Sequence, residues 1–396
     1  MERLLEALGH PERRYAIIHV AGTNGKGSAC AMIAAGLQAW GKRTGLYTSP
    51  HIEEPVERIA IDGVPVTASA FTWAFDRVHE AAERLLADEA LDAHPTYFET
   101  VTAMGFLLFA ERGVEAAAVE VGLGGRLDAT NVVQPAVTAI TRIDYDHEAF
   151  LGKGLARIAG EKAGILKPGV PAVFAPQRAE VTPVLEERAA AVGAPVERIS
   201  DWRIADCEVG RDGSRWRVES PVAMDLECSL AGGHQVENAL TAAAALRRFG
   251  VPIEAVAAGI GSARWPGRLE RFARDPEILL DGAHNPSGAR ALAAHLERFY
   301  GNRRLTVVFA MMRDKSVEEM TGAIFPLAER VIVTAPRHER ALDPASIAAA
   351  AEHPAVAIAG TVREALQEAL RAPDLIVVYG SLFLVAEARK ELGALL

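Results

Sequence analysis

The sequence predicts an α/β protein with two domains: a P-loop-containing large domain with a mostly parallel sheet, and a smaller Rossmann-like domain at the C-terminal end. Short apolar runs alternate with longer helical patterns, which is typical of a helix-covered parallel sheet. A glycine-rich turn follows the first run, and 396 residues exceed what one ordinary core holds. We expect a boundary within "SARWPGRLERFARDPE", which divides the chain into residues 1–266 and 267–396.

The predicted elements follow in order along the chain. The strand candidates are "YAIIHVA", "TGLYTS", "AAAVEVG", "AVTAITRI", "PAVFAP", "EILLDGA", "LTVVFAM", "RVIVTAP" and "DLIVVYGS". Alanine-rich helices, such as those at residues 29–40 and 287–299, lie between them. Residues 198–230 alternate polar and apolar side chains around "RDG", so we expect antiparallel hairpins added to the first domain. The boundary stretch interrupts the pattern before a new strand begins at Glu277.

Composition and charge narrow the class of function. The net charge of −10 argues against a general nucleic-acid-binding surface, which needs clustered Lys and Arg. No apolar run approaches the length of a membrane span, and the charged N-terminus lacks the apolar core of a signal peptide. Cys30, Cys207 and Cys228 form no C-x-x-C pair, so we expect neither a disulfide framework nor a zinc cluster. These features predict a cytoplasmic protein without nucleic-acid or membrane partners.

The glycine-rich turn after the first strand has the parts of a phosphate cradle. Gly22, Gly25 and Gly27 allow backbone N–H groups to surround an anion, and the following helix directs its positive end there. Lys26 adds a point charge, and the hydroxyl of Ser28 can bind Mg²⁺. The strict P-loop pattern is not met, because a glycine separates the lysine from the serine. The alternative interpretation is an ordinary glycine-rich turn.

A series of strings in the sequence resembles one enzyme family. In chain order they are "HVAGTNGKGS", "TSPHIEEPVERI", "TYFETVTAM", "VEVGLGGRLDATN", "DYDHEAFLGKGLARIAGEKAGILKPG", "GGHQVENALTA", "WPGRLE" and "LLDGAHNPSGA". Together they resemble the folylpolyglutamate synthase and dihydrofolate synthase family, a branch of the Mur-ligase-type ATP-dependent amide ligases. The resemblance covers nearly the whole chain.

The resemblance implies a ligase that adds L-glutamate to folates, with dihydropteroate as a second candidate acceptor. ATP would convert the pterin-bearing carboxylate into an acyl phosphate, which the amino group of L-glutamate then attacks. The implied cofactors are ATP and two Mg²⁺ ions, with ATP between the two domains of a monomer. Two alternatives remain: a cell-wall Mur ligase acting on a UDP-linked precursor, and a non-catalytic nucleotide-dependent binding module.

Three residues are candidate metal ligands. Glu120 ends one strand and His147 follows another, and doubly wound sheets place their sites at the carboxyl ends of strands. By the resemblance, Ser49 and Glu120 would hold one Mg²⁺ and His147 a second. The alternatives are a solvated loop acid for Glu120 and a surface histidine for His147.

Lys162, in "GEKAGILKPG", is a candidate for modification. An ammonium group beside two Mg²⁺ ions would be repelled, so its pKa should fall and the neutral amine could capture CO₂. The resemblance implies that this lysine is carbamylated and serves catalysis. The alternative is an exposed helical lysine paired with Glu161 or a neighbour.

The resemblance also assigns nucleotide-binding and catalytic residues. The nucleotide set is Thr23, Asn24, Gly25, Lys26, Gly27, Ser28, Asn238, Arg268 and Asp281. Lys26 and Arg268 would act on the phosphates, and His284 would orient glutamate or steady the acyl phosphate. The alternatives are a linker charge for Arg268, a strand-end cap for Asp281 and a turn brace for His284.

The pterin pocket is expected at the start of a helix. The substrate-binding residues implied by the resemblance are Thr96, Tyr97, Phe98, Glu99 and Leu127. The aromatic rings could stack on or line the pocket, and Thr96 and Glu99 could donate or accept hydrogen bonds. The alternative is core packing, which we favour for Phe98, and a helix-end position for Glu99.

Overall fold

The computed structural model describes residues 1–313, 315–371 and 374–396. The chain forms two compact units. Unit 1 consists of Met1–Glu208, Arg215–Ser229 and Gln235–Arg264, and unit 2 of Val209–Ser214, Leu230–His234 and Trp265–Leu396. The longest continuous part of unit 2 thus begins inside the stretch where the sequence pattern is interrupted.

Unit 1 is built on an eight-stranded sheet with the strand order β4-β3-β2-β5-β1-β6-β7-β8. Its strands are β1 (Ala16–Ala21), β2 (Thr44–Tyr47), β3 (Ile59–Ile61), β4 (Val64–Pro65), β5 (Ala116–Glu120), β6 (Val137–Ile140), β7 (Ala172–Phe174) and β8 (Val196–Arg198). Six neighbouring strands are parallel to one another, namely β2, β5, β1, β6, β7 and β8. β3 and β4 pair antiparallel at one edge of the sheet. β5 and β6 are buried throughout, which explains their nearly continuous apolar sequences.

Helices accompany this sheet. They are α1 (Glu2–Ala7), α2 (Lys26–Ala39), α3 (Ala68–Ala87), α4 (Tyr97–Glu111), α5 (Glu148–Leu151), α6 (Leu155–Ala163), α7 (Thr182–Ala191), α8 (His234–Phe249) and α9 (Ile253–Ser262). Short 3₁₀ helices lie at Pro11–Arg13, Pro55–Arg58, Ala129–Val132 and Ile199–Asp201. α2 packs closely on α9, since a Cβ atom on Gly259 would lie 2.3 Å from the backbone of Gly36.

A separate three-stranded sheet consists of β9 (Arg203–Val209), β10 (Ser214–Ser220) and β11 (Met224–Cys228). Short turns join neighbouring strands, so the sheet is a meander, as the alternating sequence predicts. Alternate residues of β10 and β11 are buried.

Unit 2 contains a six-stranded sheet in the order β12-β13-β17-β14-β15-β16. Its strands are β12 (Glu270–Arg274), β13 (Glu277–Asp281), β14 (Leu305–Phe309), β15 (Arg330–Val333), β16 (Val356–Ile358) and β17 (Leu375–Tyr379). Its helices are α10 (Pro286–Tyr300), α11 (Val317–Thr321), α12 (Pro344–Ala350), α13 (Val362–Ala369) and α14 (Leu382–Leu395), with a 3₁₀ helix at Phe325–Leu327. The predicted α/β class, with one large parallel-dominated sheet and a second sheet domain, is confirmed.

One sequence-based expectation is corrected here. The charged boundary stretch is not only an interruption, because its residues Glu270–Arg274 form β12, which pairs antiparallel with β13. An edge strand has one unpaired side and tolerates polar residues, so it lacks the apolar signature of the central strands.

None of the helices in the described part of the chain has the length and apolar character of a membrane span.

Candidate functional site

The carboxyl ends of four neighbouring strands in unit 1 carry most of the predicted site residues. β1 lies between β5 and β6, with Val20 in register with Glu120 on one side and Ala139 on the other. β2 is the next parallel strand beyond β5. The loops after these strands therefore converge at one edge, where doubly wound sheets place ligands.

The glycine-rich turn joins β1 to α2, and its geometry requires glycine at two positions. Gly22 has φ +151°, and a Cβ atom there would lie 1.9 Å from Oγ1 of Thr141. Gly25 has φ +88°, and a Cβ atom there would lie 2.0 Å from Oδ1 of Asn238. Lys26 is the first residue of α2 rather than part of a solvent-facing loop, and its Nζ donates to the carbonyl of Thr23 at 3.1 Å.

Side chains of α8 support the start of α2. Gln235 donates from Nε2 to the buried Oγ of Ser28 at 3.3 Å, and its Oε1 accepts from Nδ2 of Asn238 at 2.9 Å. Oδ1 of Asn238 therefore lies next to Gly25 in the turn, and the predicted contact of Asn238 with the nucleotide stays a prediction. Gln235 was not predicted. The sequence signal that could have identified Gln235 is its position three residues before Asn238, on the same face of the helix.

Thr23 and Asn24 are held by the backbone that follows β6. Both backbone N–H groups donate to the carbonyl of Arg142, at 3.0 and 3.3 Å. The hydroxyl of Thr23 donates to the carbonyl of Asp144 at 3.0 Å. The segment that follows β6 therefore holds the glycine-rich turn in place. Gly27 lies in the first turn of α2, where backbone N–H groups have no acceptor within the helix.

Ser49 and Glu120 lie together, as the metal-site prediction requires. Glu120 is the last residue of β5 and is only 4% exposed, and its Oε2 accepts a hydrogen bond from the backbone N–H of Ser49 at 3.1 Å. A carboxylate and a hydroxyl are oxygen donors of the kind that Mg²⁺ prefers. The two residues therefore fit one such ion.

His147 lies in the loop after β6, immediately before α5. Its backbone has φ +52°, and its side chain is 40% exposed. Its Nε2 lies 3.7 Å from Oδ1 of Asp146. The carboxylate of Asp146 also interacts electrostatically with the amine of Lys162. Asp146 is a further acidic residue of this edge that the sequence reasoning did not single out.

Lys162 is buried, which excludes the exposed-lysine alternative. It lies on α6, the second helix after His147, and is 5% exposed. Its Nζ donates to the carbonyl of Gly22 at 2.8 Å. Burial, with a smaller contribution from the charge of Lys26, lowers the pKa of Lys162 to about 7. Glu161, its proposed partner in that alternative, instead pairs with Arg126 at 3.0 Å.

A cavity of about 1230 Å³ opens beside Ser49. Its lining includes four predicted substrate residues, Thr96, Phe98, Glu99 and Leu127. Tyr97 is not among the lining residues. It is 57% exposed, and its ring lies 5.5 Å from the guanidinium of Arg58.

Three of the lining side chains, those of Thr96, Phe98 and Glu99, have structural contacts as well. The ring of Phe98 lies 6.4 Å from that of Tyr47 and fills the space beside Gly122, so Phe98 both packs and lines the cavity. Glu99 and Thr96 form a capping box at the start of α4. The backbone N–H and the hydroxyl of Thr96 each donate to Oε2 of Glu99 at 2.8 Å.

Asp128 organises the cavity wall and was not predicted. Its carboxylate accepts from the backbone N–H of Leu123 at 2.9 Å and from the hydroxyl of Thr130 at 2.6 Å. The hydroxyl of Thr130 also lies 2.8 Å from Nε2 of the buried His19. Burial raises the pKa of Asp128, although its hydrogen bonds oppose that rise.

The remaining predicted residues lie in unit 2. Asp281 is buried and accepts from the backbone N–H groups of Leu269 at 2.7 Å and Ala283 at 2.8 Å. Burial raises the pKa of Asp281, opposed mainly by the charge of Arg268. Nδ1 of His284 lies 2.8 Å from the carbonyl of Gly282. These contacts match the cap and brace alternatives, and the catalytic roles stay predictions.

Comparisons with known proteins identify two matching domains. Residues 20–246 match the Mur ligase middle domain, and residues 267–382 match the glutamate ligase domain of Mur ligases. These two matches include nearly all of the residues discussed above.

Full-length relatives are similar over almost the whole chain. The dihydrofolate synthase/folylpolyglutamate synthase of Bacillus subtilis is 35% identical over 405 residues, covering 99% of this chain and 94% of the relative. The folylpolyglutamate synthase of Lacticaseibacillus casei is 36% identical over 405 residues, covering 98% and 92%. The Mycobacterium tuberculosis folylpolyglutamate synthase, complexed with ADP and AMPPCP, has a TM-score of 0.93 at 36% identity, covering 99% and 94%.

Proposed function

This chain belongs to the folylpolyglutamate synthase and dihydrofolate synthase family of Mur-type ligases, and from that premise we propose that it joins L-glutamate to folates at the expense of ATP. Dihydropteroate is the second acceptor in this proposal. The observation that carries it is the position of Ser49, which lines the 1230 Å³ cavity and also donates its backbone N–H to Glu120 beside the glycine-rich turn. A carboxylate bound in the cavity would thus lie next to a phosphate and metal site.

The chemistry follows from the weakness of a carboxylate as an electrophile. An oxygen of the folate carboxylate attacks the γ-phosphorus of ATP, the bond to ADP breaks, and an acyl phosphate forms. The amino group of glutamate then attacks the acyl carbon, inorganic phosphate leaves, and the amine loses a proton. Lys26 and the N-terminus of α2 stabilise phosphate charge during the first step, which requires positioning more than a protein nucleophile.

Two Mg²⁺ ions complete the proposed site. Ser49 and Glu120 would hold one ion, and His147 and a carbamylated Lys162 the other. Bound Mg²⁺ neutralises phosphate charge. With a pKa of about 7, a substantial fraction of Lys162 is neutral near pH 7, and its amine can attack CO₂ and release a proton to give an anionic carbamate.

The other residue roles belong to the same proposal. Asn238 contacts the nucleotide, and Arg268, Asp281 and His284 act on the nucleotide or glutamate. Phe98 and Leu127 line the pterin pocket, and Thr96 and Glu99 shape it. We assign the middle-type domain to residues 1–266 and the glutamate ligase domain to 267–396, in a cytoplasmic monomer.

The proposal is tested with purified protein, Mg-ATP and radiolabelled L-glutamate. We expect label to enter tetrahydrofolate, with equimolar phosphate release, and we measure dihydropteroate in parallel. A UDP-linked peptide precursor should accept no label, because the curated relatives named above are folate enzymes. Label in that precursor alone, or nucleotide binding without turnover on any acceptor, would refute the folate assignment.

A further inference from the structure

A second cluster of potential metal ligands lies on α3 and the segment that follows it, and none of its members lines the cavity described above. It consists of His79, Glu83 and His94, all exposed. Nε2 of His94 lies 3.0 Å from Oε1 of Glu83, and Nε2 of His79 lies 3.6 Å from the same oxygen. One potential ligand atom from each residue lies within 4.8 Å of the others.

The fold holds these side chains in a defined arrangement. His79 and Glu83 are four residues apart on α3, so they project from the same helix face one turn apart. The ring of His79 lies nearly parallel to the rings of two neighbours, Phe75 at 5.5 Å and 7° and His94 at 5.8 Å and 14°. These two ring contacts limit the orientations of an otherwise exposed imidazole.

We propose that His79, Glu83 and His94 form a binding site for a divalent transition-metal ion, with Zn²⁺ as its occupant. Two imidazoles and one carboxylate with an open position for water are a typical zinc ligand set. Mg²⁺, which prefers an octahedron of oxygen atoms, does not suit it. Tetrahedral bonds of about 2.1 Å place ligand atoms about 3.4 Å apart, so modest rotations of exposed side chains close the site.

Metal binding here has a structural consequence for the cavity. His94 lies two residues before Thr96, and both Leu91 and Thr96 line the cavity of unit 1. An ion that joins His94 to α3 therefore fixes the segment between α3 and α4 at the cavity rim. This inference does not depend on the proposed ligase reaction.

The test is a zinc titration of the full, tag-free chain against a chromogenic chelator, with Mg²⁺ saturating. Cys207→Ser serves as the background, so that the exposed thiol does not compete. We expect a single saturable site, which His94→Ala and Glu83→Gln each weaken by about tenfold or more. Glu80→Gln, on the same helix and also exposed, is the matched control and keeps the parent affinity.

Two further readouts locate the ion. An anomalous map at the zinc edge should show a peak between the three side chains, and amide exchange of residues 88–96 should slow with zinc in the parent but not in His94→Ala. Unchanged affinity in His94→Ala, or a peak at Glu120 instead, overturns the site. Zinc binding without slower exchange overturns the effect on the cavity rim.

Discussion

The amine of Lys162 lies 2.8 Å from the carbonyl oxygen of Gly22, so a side chain of α6 is joined to the glycine-rich turn that begins α2. This contact brings together two residues 140 positions apart in the chain. It places a buried amine with a pKa of about 7 beside the proposed phosphate cradle. The position of this amine leads to two predictions.

The first prediction concerns stability against pH. The pKa of Lys162 is about 7 in the folded chain and about 10.4 in the unfolded chain. Between these pH values the Lys162 amine is therefore protonated in the unfolded chain and mostly neutral in the folded chain. The unfolding free energy of the parent should therefore rise with pH from about 7 to 10, by at most about 1.4 kcal/mol per pH unit, and this gain is lost as pH falls. Lys162→Met should lack this slope. Urea unfolding of the parent and of Lys162→Met is measured at pH 7, 8 and 9, in CO₂-depleted buffer with EDTA. Equal slopes of unfolding free energy against pH in the two proteins would contradict the prediction.

The second prediction concerns the carbamate. Lys162→Ala should lose most turnover, because no anionic ligand remains at that position, and acetate should restore part of it. Chloride at the same ionic strength is the control. A variant with near-normal turnover, or equal effects of acetate and chloride, contradicts the carbamate.

The third prediction concerns Lys26. Lys26→Ala should abolish phosphate release, because the charge that stabilises the phosphate is lost. The circular dichroism spectrum should stay that of the parent, because the Lys26 amine donates to the carbonyl of Thr23 in the neighbouring turn and not to a core group. Lys42→Ala is the control, since Lys42 forms a surface ion pair with Glu115 at 2.8 Å. Normal phosphate release by folded Lys26→Ala would remove this residue from the cradle.

The fourth prediction separates backbone strain from collision at Gly25. Gly25 and Gly41 have similar φ values, +88° and +80°, but only a Cβ atom on Gly25 would meet a neighbour, Oδ1 of Asn238 at 2.0 Å. Gly41→Ala should cost about 1–2 kcal/mol of unfolding free energy through strain alone. Gly25→Ala should cost more and also weaken ATP binding, as urea unfolding and calorimetry would measure. Equal losses in both variants would mean that the turn accommodates the methyl group.

The sequence predicted the central strands well because they are buried on both faces and are therefore apolar throughout. Glu120 could be proposed as a site residue because it is a charge at the end of such a strand. β12 escaped prediction, since a partly exposed edge strand carries charges like a linker. The burial of Lys162 could not be derived either, because it depends on packing against residues distant in sequence. Gln235 has no chemical signature of its own, and its role appears only through Ser28 and Asn238.

The last prediction decides what Glu99 does at the cavity. Its Oε2 accepts two hydrogen bonds from Thr96, and glutamine can make the same capping box with its amide oxygen. Glu99→Gln should therefore keep both the unfolding free energy and the KM for folate close to those of the parent. Glu99→Ala should lose about 1 kcal/mol of stability, because the N–H of Thr96 loses its acceptor. A large rise in KM for Glu99→Gln, with stability unchanged, would instead mean that the carboxylate binds the pterin directly.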